Sequence, residues 1–515
     1  MMLSDILAIA LVASVCAGLM AGYPVALTLG GISLAFAALA HLAGVMDFGL
    51  IGALPQRIYG IMTNEVLLAI PLFVFMGVML ERSRIAEDLL EAMGRLFGSL
   101  TGGLGISVAL VGTLLAAAKG VVGATTVTMG LITLPTMLRH GYDKRLAAGT
   151  VAATATLAQI MPPATVLVVL GDQLNNSYQS AQLAKGTFAP NSLSLGDLFA
   201  GAIIPALMLV GLYLLYLIAI AIWRPHLSPA IAPDGSARKG RALVRELSEA
   251  LFAPVLLIVA VLGSILGGLA TPTESAAIGA FGALLLTARK INRAGSWPIL
   301  ACALALVLIL ILRALHIEQS GRAIMGALAA VVAAGALFAA DRVWRAGILT
   351  SVMTKTTQIS AMIFTILIGA TLFSLVFRGL GGDDLVHRGL GDLSGGPGAA
   401  ILIVMVALFL LGFVMDVFEI VFVVVPIVAP VLLALPGISP VWLGIMIAIN
   451  LQTSFMHPPL GPTLFYLRGV APREISTMDI YLGIVPFVLI QLLALVLLWF
   501  VPSLATWLPS ALYGH

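Results

Sequence analysis

The chain has 515 residues, 61% of them hydrophobic and only 10% charged, with a formal net charge of +3. A soluble domain carries about 25% charged residues, so composition excludes a soluble globular protein, and no basic block of the nucleic-acid-binding kind occurs in the sequence. Uncharged runs of bilayer length recur at 6–23, 25–45, 203–222, 254–270, 294–312, 323–340, 359–377, 399–415 and 485–501. The expected fold is therefore an all-α polytopic membrane protein of roughly a dozen spans.

At the N-terminus Asp5 is the only charged side chain before Pro24, so the first apolar run is expected to be a retained span and not a cleaved leader. Residues 81–97 differ from their surroundings. Ile85, Leu89, Leu90, Met93, Leu96 and Phe97 recur at helical spacing opposite Arg82, Arg84, Glu87, Asp88, Glu91 and Arg95, the pattern of an amphipathic helix at a membrane surface or between domains. Residues 119–138 hold Gly120, Gly123, Gly130 and the pair Thr125-Thr126 and are too interrupted for one clean span. Residues 412–433, with Asp416, Glu419, Pro426 and Pro430, are similar. Each is expected to form a re-entrant hairpin.

The longest polar connection, 224–249, carries Arg238, Lys239, Arg241 and Arg245, which places it in the cytoplasm. Counting crossings from there returns Arg289, Lys290 and Arg293, and then Arg342 and Arg345, to the same side. Cys16 and Cys302 both lie in apolar runs and are expected to be buried thiols.

The two halves repeat. Pro162 follows Gly141 by the same interval as Pro458 follows Gly437, 21 residues (162 − 141 and 458 − 437). Each proline pair, Pro162-Pro163 after Met161 and Pro458-Pro459 after His457, interrupts an apolar segment. Proline removes a backbone donor, and freed carbonyls are tolerated at membrane depth only when buried in protein or lining a cavity. Matching interruptions in both halves are the best sequence pointer to a transporter's binding site. Each is followed by a Ser-x-x-Asp, Ser194 to Asp197 and Ser476 to Asp479, a helix-start pattern.

Oxygen-bearing residues cluster around these features. The first hairpin offers Gly123, Ala124, Thr125, Thr126 and Thr128, facing Thr154, Thr156 and Gln159 ahead of the first break. Hydroxyls and freed carbonyls suit hard cations such as sodium; the bland alternative is intrahelical back-bonding by the threonines. The second hairpin offers Asp416 and Glu419, on one helix face, with Asn450, Gln452, Thr453 and Ser454 ahead of the second break. Intramembrane acids are costly and usually functional, although a carboxylate near the aqueous end can simply cap the hairpin. Lys119 stands at the start of the first hairpin and either neutralises an anion or snorkels to the surface. The sequence holds no metal-ligand cluster, Walker loop, hydrolase or redox signature, so an enzyme or ATP-driven pump is not expected.

At these residues the sequence resembles the large membrane subunit of the tripartite ATP-independent periplasmic (TRAP) transporters, and within them the mannitol/chloroaromatic-type branch. The resemblance is carried by Ala69-Ile70-Pro71-Leu72-Phe73, by the run from Gly123 into Pro135-Thr136-Met137-Leu138, by Gly141-Tyr142-Asp143 and by Thr271-Pro272-Thr273-Glu274-Ser275-Ala276-Ala277. Further carriers are Met415-Asp416-Val417-Phe418-Glu419-Ile420, Gln452-Thr453-Ser454-Phe455, and the stretch from Leu464 to Pro472. It implies an inverted-repeat elevator fold with two re-entrant hairpins and discontinuous helices. Residues 1–102 and 224–350 would form scaffold, and 103–223 and 351–515 the two transport-domain repeats. It also implies sodium coupling, a separate small membrane subunit, a periplasmic substrate-binding protein and residence in the bacterial inner membrane among its lipids. Sodium would sit on Gly123, Thr125, Thr126, Thr156, Gln159, Met161 and Pro162 in one half, and on Asp416, Asn450, Thr453, Ser454 and Pro458 in the other. The solute, a small organic anion, would meet Lys119, Ala124, Pro163, Glu419, His457 and Pro459. Two departures stand out: 294–340 reads as an extra pair of spans, and His457 replaces the branch's usual threonine. A stand-alone divalent-anion/sodium symporter shares the doubled hairpin design and is the competing reading. A membrane-embedded enzyme would need a catalytic constellation within the spans, and a channel would need a continuous pore.

Overall fold

The computed structural model describes residues 3–514 except 84, 98, 188–190, 232–240, 294, 315–321, 392–394 and 460; the side chains of 48, 86, 119, 241–250, 253, 310, 311, 313, 314, 322 and 323 also lie outside the description. Every regular element among the described residues is helical. Six described helices are long and apolar enough to cross a membrane, or eight if two sharply bent pairs each count once. Some of the other apolar runs are hairpin arms. The 399–415 run is one of these: its helix, Gly396–Leu411, has 16 residues, or about 24 Å at 1.5 Å per residue, short of the ~30 Å hydrocarbon core.

Both hairpins lie further toward the N-terminus than expected. The first consists of Gly103–Lys119 and Val122–Arg139, and its turn falls at Gly120, whose φ of 62° suits glycine. The 119–138 stretch is therefore the tip plus the second arm. The first arm is uniformly apolar and carries no local sign that it is half of a hairpin. The second hairpin has Gly396–Leu411 as first arm, and its second arm is Val417–Val423 continued by Val425–Ala434 after a 55° bend. Its turn occupies Gly412 to Asp416, so 412–433 is tip plus second arm.

The repeat continues in register. Gly141 and Gly437, at φ 75° and 79°, end the hairpins. Next come the pre-break helices Lys144–Thr156 and Pro440–Met456, then the post-break helices Thr165–Ala184 and Pro462–Val470. The closing helices Leu195–Trp223 and Thr477–Phe500 follow, each started by the expected capping box. Ser194 Oγ accepts the Asp197 N–H at 3.0 Å and Ser476 Oγ accepts the Asp479 N–H at 3.1 Å, with each aspartate accepting the serine N–H in return.

The repeats are inverted. At the open end of hairpin one, Gly102 N–H donates to Ser228 O at 2.8 Å and Asp143 N–H to Leu227 O at 2.9 Å, just past the end of Leu195–Trp223. Beside the open end of hairpin two, Val441 packs on Gly201, near the start of that same helix. Its 29 residues span about 43 Å, so the hairpins enter from opposite ends. They also exchange partners. The second arm of hairpin one packs on Pro462–Val470, and that of hairpin two on Thr165–Ala184. Thr477–Phe500 crosses Lys144–Thr156 where Gly149 meets Gly483.

The amphipathic segment forms Ile85–Phe97 and packs on the first arm of hairpin one and on Arg241–Leu266. Leu89 and Met93 are buried, and the exposed Asp88 pairs with Lys290 at 2.7 Å. Arg342 donates to Asn292 O at 3.0 Å and Gly295 O at 2.7 Å, which puts it at the same end as Arg289 and Lys290, as the charge count requires. Arg238 and Lys239, which anchor that count, lie outside the described residues, as do the side chains of Arg241 and Arg245. Residues 297–314 and 322–345 form the paired helices Trp297–Ala314 and Arg322–Arg345. Both cysteines are free thiols, Cys302 buried and Cys16 only partly so.

Candidate transport site

The helical ladder stops at both proline pairs because proline supplies no N–H. Both Pro-Pro peptide bonds are cis. Ahead of the first break the chain tightens into a 3₁₀ turn, Leu157–Gln159, and Met161 N–H returns to Leu157 O at 2.8 Å. At the second, His457 N–H returns to Ser454 O at 3.2 Å.

Each hairpin tip abuts the break of its own repeat. A Cβ on Gly120 would lie 3.0 Å from Thr165 N, at the start of the first post-break helix. A Cβ on Gly412 would lie 2.1 Å from Ser454 Oγ, at the end of the second pre-break helix. His457 stacks on Phe413 of the second tip with ring centroids 5.0 Å apart and meets Phe409 edge-on at 5.3 Å; its Nδ1 lies 2.5 Å from Pro458 O. The post-break helix of repeat two also reaches the other hairpin, since Tyr466 lies over Gly123 and within electrostatic range of Asp416 and Glu419.

The expected oxygen donors are present with a common geometry. Thr125, Thr126, Thr156, Thr453 and Ser454 are fully buried, and each donates its hydroxyl proton to a backbone carbonyl three or four residues earlier, at 2.8–2.9 Å. The back-bonding alternative is thus realised, yet it commits only the proton; Thr156 Oγ1 also accepts from Gln452 and Gln491. Asp416 caps its helix by accepting the Phe418 N–H at 3.1 Å. Asn450 uses its amide to donate to Met405 O at 2.7 Å, tying the pre-break helix to the first arm of hairpin two. The Lys119 side chain lies outside the described residues.

Between the breaks lies a buried polar cluster that the sequence reading only partly reached. Gln491 donates to Tyr213 Oη at 2.7 Å, and Gln491 and Gln452 approach Thr156 Oγ1 at 3.5 and 3.4 Å. Among the described residues, several buried oxygens on the hairpins and the helices flanking the breaks have no partner: Gln159 Oε1, Gln452 Oε1, Gln491 Oε1, Thr165 Oγ1, Thr463 Oγ1 and Glu419 Oε2. An unpartnered buried polar group costs roughly 1–3 kcal/mol. Tyr213, Gln491 and Tyr466 were not singled out from sequence. The first two are single polar residues in long apolar helices, and only tertiary packing brings them to the breaks. The two sides differ in access: Pro162, Pro163 and Thr165 are buried, whereas Pro459 is exposed and Tyr466 is 40% exposed.

Inverted repeats, opposed hairpins and broken helices around a buried polar centre define a multi-pass membrane transporter. The family model for the tripartite ATP-independent periplasmic transporter, DctM component, matches residues 12–504, and the chain belongs to that family. It is similar to a C4-dicarboxylate TRAP transporter large permease protein DctM of Vibrio cholerae, at 27% identity over 99% of each chain. The chain is also 28% identical to an isethionate TRAP transporter permease protein DctMQ of Oleidesulfovibrio alaskensis, covering 94% of this chain and 64% of that one. Among solved structures the Alcanivorax borkumensis YdaH transporter shares the fold, with a TM-score of 0.56 at 16% identity over 89% of this chain and 88% of that one.

Proposed function

We propose that the chain is the large permease of a sodium-coupled importer of a small organic anion, working with a separate small membrane subunit and a periplasmic binding protein in the bacterial inner membrane. The observation that carries this reading is the convergence of two hairpins, entering from opposite ends, on buried oxygens that lack partners. Sodium is cargo here. The set around Thr125, Thr126, Thr156 and Gln159 and the set around Asp416, Asn450, Thr453 and Ser454 supply the oxygen ligands a hard cation favours. The starts of Val122–Arg139, Thr165–Ala184 and Pro462–Val470 direct free amides toward the tips, which favours an anionic solute. The pairing of one hairpin with each repeat supports an elevator movement of the repeats against the remaining helices. C4-dicarboxylate and isethionate, in the names of the relatives, are both organic anions. They support an anion over a neutral polyol and lend nothing to the mannitol/chloroaromatic branch.

The test is uptake into vesicles holding this chain and its small subunit, with and without the cognate binding protein outside. Uptake is expected only with the binding protein. Comparable uptake without it would overturn this reading in favour of a stand-alone symporter.

A further inference from the structure

A cavity of about 410 Å³ lies away from the hairpin tips, between hairpin two, the first post-break helix, and the helices Leu54–Met62 and Ile348–Gly379. Pro430 of hairpin two and Asp172 and Asn176 of the first post-break helix form one wall; Arg57, Thr371 and Arg378 form the other. The cavity follows hairpin two toward its open end, where Lys185 Nζ donates to Leu433 O at 3.3 Å. It therefore occupies the half of the molecule opposite the 224–249 connection.

Among the described residues the arginines lining this cavity are not paired with its aspartate. Both Asp172 oxygens accept amide N–H groups, Oδ1 from Asn64 at 2.9 Å and Oδ2 from Gln173 at 3.0 Å. Arg378 has one acidic neighbour, Asp383, with Nε 3.4 Å from Oδ2, and both side chains are solvent-accessible. Arg57 makes no hydrogen bond or ion pair among the described residues, and the charge it senses most is the like charge of Arg378. Two guanidiniums line one chamber, one of them without an anion among the described residues, and guanidinium groups bind carboxylates well.

We propose that this cavity is an antechamber in which Arg57 and Arg378 hold a small organic carboxylate before it reaches the hairpin tips, with Thr371 and Asn176 available to its polar remainder. The inference rests on the organic-anion reading above and adds to it a second site on the same path. Because Arg57 stands outside the expected repeats while Arg378, Pro430 and Asp172 lie within them, movement of the repeats would open and close the chamber.

The test uses the full chain with its small subunit, with Cys16→Ser and Cys302→Ala, and Ser180→Cys placed at the cavity wall as a reporter. Its rate of maleimide labelling is measured with succinate and with mannitol as neutral control. Succinate at about ten times its dissociation constant should slow labelling roughly tenfold, and mannitol should leave it unchanged. Arg57→Gln combined with Arg378→Gln should abolish the protection, and Arg57→Lys should retain part of it. No protection by succinate, or protection that survives the double glutamine change, overturns the antechamber. Binding-protein-dependent uptake without protection would sink the antechamber alone; protection without such uptake would sink the transport reading alone.

Discussion

Replacing Asp416 with asparagine should leave the protein folded and assembled while raising the sodium concentration that half-saturates uptake. The two roles of this residue can be separated because asparagine caps helices about as well as aspartate. The bond from Phe418 N–H to the residue-416 side chain therefore survives, and only the charge is lost. Loss of a charged partner costs about 1.5–3 kcal/mol, equivalent to about a 10- to 100-fold loss of ion affinity. Asp416→Ala should show the same sodium shift plus about 1 kcal/mol of lost cap, seen as a lower melting temperature in detergent. The assay is initial uptake against external sodium, with quantified protein in each vesicle preparation. If Asp416→Asn takes up solute with unchanged sodium dependence, Asp416 is a cap and nothing more.

The second large effect concerns stability. At the crossing of Lys144–Thr156 with Thr477–Phe500, a Cβ on Gly483 would lie 2.1 Å from Arg145 O, and one on Gly149 would lie 2.0 Å from Gly483 O. Backbone atoms cannot rotate away as a side-chain end can. Close approach of this kind is what small residues permit between membrane helices. Gly483→Val should therefore force the helices apart and cost at least about 1–3 kcal/mol, the usual range for overpacking. Gly211→Val is the control, since a Cβ there meets nothing within 4 Å although it too sits in a long apolar helix. Thermal unfolding in detergent should show a clear drop for Gly483→Val and little change for Gly211→Val. Equal melting temperatures for the two variants would show that the crossing is not tight.

The features that could be read from sequence are those whose signal is local. Ser194 with Asp197 and Ser476 with Asp479 form their capping boxes because the partners are three residues apart and need no help from the rest of the fold. Gly141 and Gly437 mark turns because left-handed backbone favours glycine, and the equal spacing to Pro162 and Pro458 exposes the duplication. Hairpin boundaries were less legible. Residues 103–119 and 396–411 are as apolar as true spans, and the only sign of their reversal is a glycine at each tip. The oxygen donors were found because they neighbour the proline breaks. Tyr213, Gln491 and Tyr466 were missed because each is an isolated residue whose partners come from the other repeat or the other hairpin. The cavity arginines likewise lie 321 residues apart in the chain (378 − 57), and nothing around either announces the other.

The central claim is that a sodium gradient drives solute through the buried centre between the hairpins. It is tested most directly in vesicles carrying this chain and its small subunit, with the loaded binding protein outside, equal pH on both sides, and sodium or potassium as the external cation. Solute should accumulate above its external concentration only with external sodium, and a sodium ionophore should abolish the accumulation. Equal accumulation in potassium, or accumulation that follows an imposed proton gradient and ignores sodium, would contradict the account.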